Sequence, residues 1–248
     1  MLSHIVSNSG ITVVFDDGPK MLHKSSARYQ EALDALKSSD ISTLREIMDP
    51  RGAIKKYSNN ELSFEEDGSL SFEGLRLGSK LESLLKSCMS RGLPWEVIAR
   101  FATNCLANPS TRAHSEIESL LSIENLPITE DGCFLAYKLA TVDGLDADHG
   151  IFDCSPGKTV EYPRNKISRH SKKGPERGLS AGGKAYTNSG FVGKTLVVKI
   201  NPADVIGVYM HPYREAVVCR FSVVKEGALD FASDIVDSTT LEPLRQVK

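Results

Sequence analysis

The apolar and polar positions of this 248-residue chain change period several times, and each change predicts an element. Ile11 to Phe15 reads as a strand ending in an Asp-Gly turn. Ala27, Tyr29, Ala32, Leu33 and Leu36 then fall on one helical face, with Ser25 or Ser26 as N-cap. A second short helix carries Leu44, Ile47 and Met48, and Pro50 helps end it. Leu62 and Phe64 alternate against Leu70 and Phe72 around Asp67-Gly68, the signature of a hairpin. Helical spacing returns at Leu81, Leu84, Leu85, Cys88 and Met89, with Gly92 closing that helix. Pro94 opens the next, striped by Trp95, Ile98, Phe101, Ala102 and Cys105. A third begins after an Asn-Pro-Ser start with Ser110 as N-cap and buries Ile117, Leu120 and Leu121.

The character shifts near Glu124 to Pro127. The continuous apolar run GCFLAYKLA fits a buried strand or a short helix. From Thr141 to Gly193 the chain is polar and rich in Gly, Asp and Lys, a length of irregular sequence that is usually functional or disordered. Three Val- and Ile-rich runs follow, TLVVKI, DVIGVY and AVVCRFSVV, which read as strands. The pattern predicts an α+β protein: a mixed helical N-terminal half with a β-hairpin, and a β-rich C-terminal domain with a long irregular loop. The expected division is 1–125, 126–226 and a polar tail, 227–248.

Composition narrows the classes. Hydrophobic content of 40% supports a real core, and a formal net charge of −2 argues against a whole-protein nucleic-acid binder. Five cysteines without a CxxC pair, four of them in apolar or periodic segments, suit a reducing compartment. The scattered histidines give no zinc spacing, no cofactor signature is present, and neither a signal peptide nor a membrane-length apolar run is expected.

The stretch GLSAGGKAY, residues 178–186, imitates a phosphate-binding P-loop in all but its last position, where Ala185 replaces Ser or Thr. A P-loop needs a buried strand before it and a helix after it, and the flanks RHSKKGPER and AYTNSGFVG supply neither. Gly182 and Gly183 are expected to permit a tight turn. Asp143, Asp146, Asp148 and Asp153 cluster without EF-hand spacing, which favours an acidic turn held by Asx-type hydrogen bonds over a cation site. A basic cluster, Arg164, Lys166, Arg169, His170, Lys172, Lys173 and Arg177, could hold a phosphate, an acidic protein surface or, as the weakest reading, nucleic acid. On that reading Arg164, Lys173, Arg177, Ser180, Lys184 and Tyr186 are the candidate ligand residues. No catalytic motif is recognisable, so a non-enzymatic role is favoured.

Two blocks carry a family resemblance. Asn108, Pro109, Ser110 and Arg112, followed by Pro127, Ile128, Thr129, Asp131, Gly132, Phe134, Leu135, Ala136, Tyr137 and Lys138, resemble the central segment of the rapid-lysis B (rIIB-like) proteins of tailed bacteriophages. Arg164, Gly178, Leu179, Tyr186, the INPADV run at 200–205 and Arg220 are similar to the downstream pattern. The chain departs from that pattern at Pro175 and Ser180, where the family places Cys and His. The resemblance implies a phage early protein in the host-cell cytoplasm, with peripheral contact with the inner membrane. It also implies an rIIA-like phage protein or a host defence protein as partner, and roles in lysis timing or in protecting infection. A phosphorylated small molecule bound by the basic Gly-rich loop is the alternative, and homo-oligomer formation is left open.

Overall fold

A computed structural model describes residues 3–24, 26, 28–49, 54–55, 58, 61–91, 93–168, 176–210, 213–227 and 234–244. The chain divides into two compact units, residues 1–96 and 97–244.

In the first unit, β1 (Ser3–Val6), β2 (Gly10–Phe15) and β3 (Gly18–His23) form an antiparallel sheet in that order. Period-two alternation sends Ile11, Val13 and Phe15 of β2 to one face, where they are buried. Two helices, α1 (Tyr29–Lys37) and α2 (Ile41–Met48), close that core with Ala32, Ala35, Leu44, Ile47 and Met48. The Asp40 carboxylate caps α2 by accepting the Thr43 N–H at 3.0 Å. For α1 the flanking residue is Arg28, whose N–H is accepted by Ser26 Oγ at 3.3 Å; Ser25 lies outside the described residues. The expected hairpin is β4 (Leu62–Phe64) against β5 (Leu70–Phe72), extended by β6 (Leu75–Arg76). Its turn is held by Asp67, whose carboxylate accepts the Ser69 N–H at 3.0 Å. Helix α3 (Ser79–Arg91) joins it through Glu82, which accepts the Leu70 N–H at 3.2 Å.

The second unit is built on a large, mainly antiparallel sheet. Helices α4 (Glu96–Leu106) and α5 (Thr111–Glu124) lead into β7 (Ile128–Thr129) and β8 (Phe134–Ala140). Next come β9 (Thr159–Glu161), β10 (Leu179–Gly182), the short α6 (Lys184–Thr187), β11 (Lys194–Ile200) and β12 (Val205–Tyr209). Then follow β13 (Glu215–Val218), β14 (Arg220–Glu226) and β15 (Ile235–Val236). The strand order is β12-β13-β10-β8-β11-β14-β9, with β15 parallel to β7 at the side. Phe134–Ala140 is thus a strand, and all seven of its residues are buried, as a near-continuous apolar run demands. The shift at Pro127 marks the passage from helix to sheet inside this unit.

The run AVVCRFSVV is two strands that turn at Cys219. Val218 and Arg220 are two Cα steps apart, roughly 7 Å of chain at most, yet β10, β8 and β11 lie between their strands in the sheet. The sheet must therefore curl until its two sides meet at Cys219, like the corner of an orthogonal barrel. The β12 edge is covered: Glu116 on α5 accepts the Val208 N–H at 3.1 Å.

Candidate functional site

Three polar knots in the second unit gather the residues singled out by the sequence. The first joins the Asn-Pro-Ser start of α5 to the INPADV corner. Asn108 is 3% exposed, and its side-chain amide donates to the carbonyls of Pro202 and Val205, both at 2.8 Å. Its Oδ1 accepts the Ser110 N–H at 2.9 Å and the Arg164 guanidinium at 3.0 Å. Arg164 donates further to the carbonyls of Ala203 at 2.7 Å and Val205 at 3.1 Å. Asn108 thus binds the N-terminal turn of α5, where Ser110 occupies the N-cap position without a side-chain cap of its own. Pro109 is exposed, and Arg112 pairs with Glu116 at 2.8 Å on the outer face of the helix.

The turn between β7 and β8 explains the Asp131-Gly132 pair. Asp131 accepts from Thr129 Oγ1 at 2.5 Å and from the Lys199 ammonium at 2.7 Å. Burial opposes its charge, but the donors from Lys199 and Thr129 prevail and hold its pKa below the usual value. Gly132 has φ +75°, and a Cβ there would stand 2.5 Å from the Arg100 carbonyl carbon on α4. From α4, Asn104 donates to the Gly132 carbonyl at 2.8 Å and Arg100 to the Glu130 carbonyl at 2.7 Å.

The second knot is the most buried. Lys138 sits mid-strand in β8 with a fully buried side chain, and its ammonium pairs with Asp148, whose side chain is 2% exposed. Asp148 also accepts the Ser180 N–H at 2.9 Å, the Ser180 hydroxyl at 2.6 Å and the Arg177 guanidinium at 2.8 Å. The Tyr186 hydroxyl lies 3.1 Å from Ser180 Oγ. Burial works against the charge on Lys138, but the fields of Tyr186 and Asp148 and the Asp148 hydrogen bond outweigh it and raise its pKa. Burial likewise opposes ionised Asp148, and Lys138 and Arg177 overcome it to lower that pKa. For Tyr186 burial dominates, and the phenol is held neutral above its ordinary range. Around this centre Tyr137 packs with Leu135, Leu139, Tyr186 and Val197.

Asp146, fully buried, organises the loop that delivers Asp148. It accepts the backbone N–H groups of His149, Ile151 and Phe152 at 2.7, 3.2 and 3.0 Å, the Asx-type geometry expected of this acidic turn. His149 Nε2 lies 2.9 Å from the Arg177 carbonyl, and its ring stacks on Tyr162 at 4.9 Å. Much of the stretch expected to be irregular therefore has defined structure, including β9, β10 and α6. Its order comes from buried carboxylates, which local periodicity does not announce.

The third knot lies in the imitation P-loop. The Glu124 carboxylate, at the end of α5, accepts the Ala185 N–H at 3.2 Å and pairs with Arg214 at 2.9 Å. A Cβ on Gly183 would stand 2.1 Å from Glu124 Oε2, and one on Gly182 would stand 2.6 Å from the Arg214 carbonyl oxygen. Neither glycine has positive φ. Close approach of neighbouring groups, rather than the expected tight turn, is what requires glycine here. The same constraint holds at Gly178, where a Cβ would come within 2.6 Å of a Val217 methyl group, while Leu179 is fully buried opposite Val218.

The structure thus brings Arg177, Ser180 and Tyr186 together around Asp148, and places Arg164 in the Asn108 knot. Lys184 is exposed at the start of α6, and Lys173 lies outside the described residues with Arg169, His170, Lys172 and Pro175. Sequence reasoning missed Asp148 as the hub, Glu124 as the occupant of the Gly loop, and Glu215, 3.9 Å from Arg177. A lysine inside an otherwise apolar strand was the available signal for a buried acidic partner. Among the described residues no group of His, Cys, Asp and Glu could hold a metal ion, and no helix is long and apolar enough to cross a membrane.

These knots fall inside the segment that matches known proteins. Residues 51–236 match the family model of bacteriophage T4 protein rIIB. Protein rIIB of Enterobacteria phage T4 is 29% identical over 204 residues, which cover 81% of this chain and 65% of that relative. The chain therefore spans less than two thirds of the relative's length. No solved structure matches it. With three quarters of its residues matched, including the Asn108, Lys138 and Glu124 knots, the chain belongs to the bacteriophage T4 protein rIIB family.

Proposed function

We propose that the chain is a phage accessory protein that modulates lysis timing or protects infection against host exclusion and defence systems, acting by binding protein rather than by catalysis. The observation that carries this reading is how its candidate phosphate residues are engaged. Arg164 is taken up by Asn108 and two backbone carbonyls, Arg177 by Asp148, and the Gly loop by Glu124. A phosphorylated ligand would have to displace these partners, two of which are carboxylates held at short range. The same contacts make a rigid, internally neutralised scaffold, which suits presentation of a fixed surface to another protein.

The proposed partner is an rIIA-like phage protein or a host defence protein, met in the host cytoplasm with any membrane contact made through that partner. Affinity capture of the tagged chain from infected cells tests the reading. Recovery of a partner at near-equal stoichiometry is expected; recovery of the chain alone from infected cells overturns it.

A further inference from the structure

The C-terminal segment closes one side of the second unit. β15 lies parallel to β7, off the main path of the sheet. The Ile128 N–H donates to the Asp234 carbonyl and the Glu130 N–H to the Val236 carbonyl, both at 2.9 Å. Val236 joins the apolar cluster of Leu135, Tyr137, Leu139, Tyr186 and Val197, and Leu241 packs against that cluster. Residues 234–244 thus form a strap over one face of β8 and β11. Ile235 and Val236 are buried beneath it, while Thr239, Thr240, Glu242 and Pro243 face outward and are exposed.

The strap holds its own shape. The Asp237 carboxylate accepts the N–H groups of Thr239 and Thr240 at 2.8 and 2.6 Å. The Asp237 N–H donates to the Glu242 carbonyl at 2.9 Å, and the Leu241 and Leu244 N–H groups donate to the carbonyls of Asp237 and Ile235, both at 3.2 Å. These bonds lie within the strap, so release does not break them. Release gives up the two-residue pairing with β7 and the burial of Ile235, Val236 and Leu241. It also relieves a strain: Leu241 sits at φ +60°, in the left-handed region that a bulky side chain rarely adopts. Release uncovers the Ile128 and Glu130 N–H donors beside an apolar floor, the arrangement that accepts an added strand.

We infer that β7 and the Leu135–Tyr137–Leu139 face form a strand-acceptor groove, with residues 234–244 as its occupant in cis. The strap detaches as a unit and competes with extended segments of its own pattern. That pattern is two apolar residues followed by the Asp237 turn. The backbone donors select an extended chain, and the floor selects the apolar pair. A segment supplied in trans meets the groove only in chains whose strap is open, so the cis occupant sets the apparent affinity.

Native-state hydrogen exchange on the full chain reads the release. The Ile128 and Glu130 amides are expected to exchange through an opening with little urea dependence, well before the amides of the β8–β11 ladder. A fluorescent peptide of residues 234–244 reads the groove by anisotropy. Val236→Asp places a charge on the apolar floor and weakens the cis strap. The full-length variant is therefore expected to bind the wild-type peptide at least about ten-fold more tightly than the wild-type chain does. The peptide carrying Val236→Asp is expected to bind neither chain. Should Val236→Asp unfold the protein, exchange in the wild-type chain decides alone. Three results overturn the inference: Ile128 and Glu130 amides that exchange only together with the β8–β11 ladder, a folded variant that binds the peptide no better than wild type, or equal binding of the Val236→Asp peptide.

Discussion

Lys138, in the middle of the most buried strand, and Asp148, ten residues further on, form an ion pair with side chains 0% and 2% exposed. The pair survives burial because Asp148 accepts additional bonds from Ser180 and Arg177, so its oxygens are satisfied after leaving water. It also fixes the 141–153 loop against β8 and β10, which makes a loop of weak local pattern part of the core.

Removing either partner alone strands the other. Lys138→Met and Asp148→Asn are each expected to lose about 3–5 kcal/mol in urea unfolding. The Lys138→Met/Asp148→Asn double variant, which leaves neither charge buried, is expected to lose less than the two single losses added. Strict additivity would show that the two charges are not coupled.

The pH dependence follows from the directions of the shifts. Asp148 has a lowered pKa when folded, so its contribution is complete above the unfolded carboxylate value of about 3.9 and fades as pH falls through the folded value. Lys138 and Tyr186 have raised values, so theirs are complete below about 10 and fade as pH rises through the folded values. Urea midpoints are expected to hold between about pH 5 and 9 and fall on both sides. In Lys138→Met the alkaline fall is expected to be smaller.

Gly183→Ala would drive a methyl into the Glu124 carboxylate. A loss of about 1–3 kcal/mol is expected, and Glu124→Ala in the same chain is expected to recover part of it. No coupling between the two in a double-mutant cycle would show that Glu124 does not fill the loop. Because Glu124 is the loop's own anion, thermal shift with nucleotides is expected to show none of the gain of roughly 2.7 kcal/mol that a 100-fold excess of a specific ligand gives.

Asn108→Ala removes partners from Pro202, Val205, Ser110 and Arg164 at once. Each group left unsatisfied costs roughly 1–3 kcal/mol, so a loss of at least about 2 kcal/mol is expected. Pro109, one residue on but exposed, is expected to tolerate Ala within about 0.5 kcal/mol. Chemical denaturation of both variants checks the contrast.

The sequence by itself determined the α+β class, the N-terminal helices and the β4–β5 hairpin, but not β1, β3, β9, β10, α6 or the division of AVVCRFSVV at Cys219. Apolar spacing, the Asp67-Gly68 turn and the Asn-Pro-Ser start act over a few residues, so they can be read without the fold. Two blocks carried the family resemblance, but the expectation that no strand or helix flanks the glycines of 178–186 was wrong: buried β10 ends directly before Gly183 and the one-turn α6 begins directly after it, and the Glu124 carboxylate occupies the loop. Only the tertiary structure decided what the polar residues do. Asp148 reaches Lys138 and Ser180, Glu124 reaches Ala185 from sixty-one residues away, and Arg164 reaches Asn108 across fifty-six. The Arg164–Asn108 contact depends on a sheet that curls back on itself at Cys219 and brings its two sides together. No local pattern encodes such an approach, because a carboxylate beside a glycine is legible only once both backbones are in place.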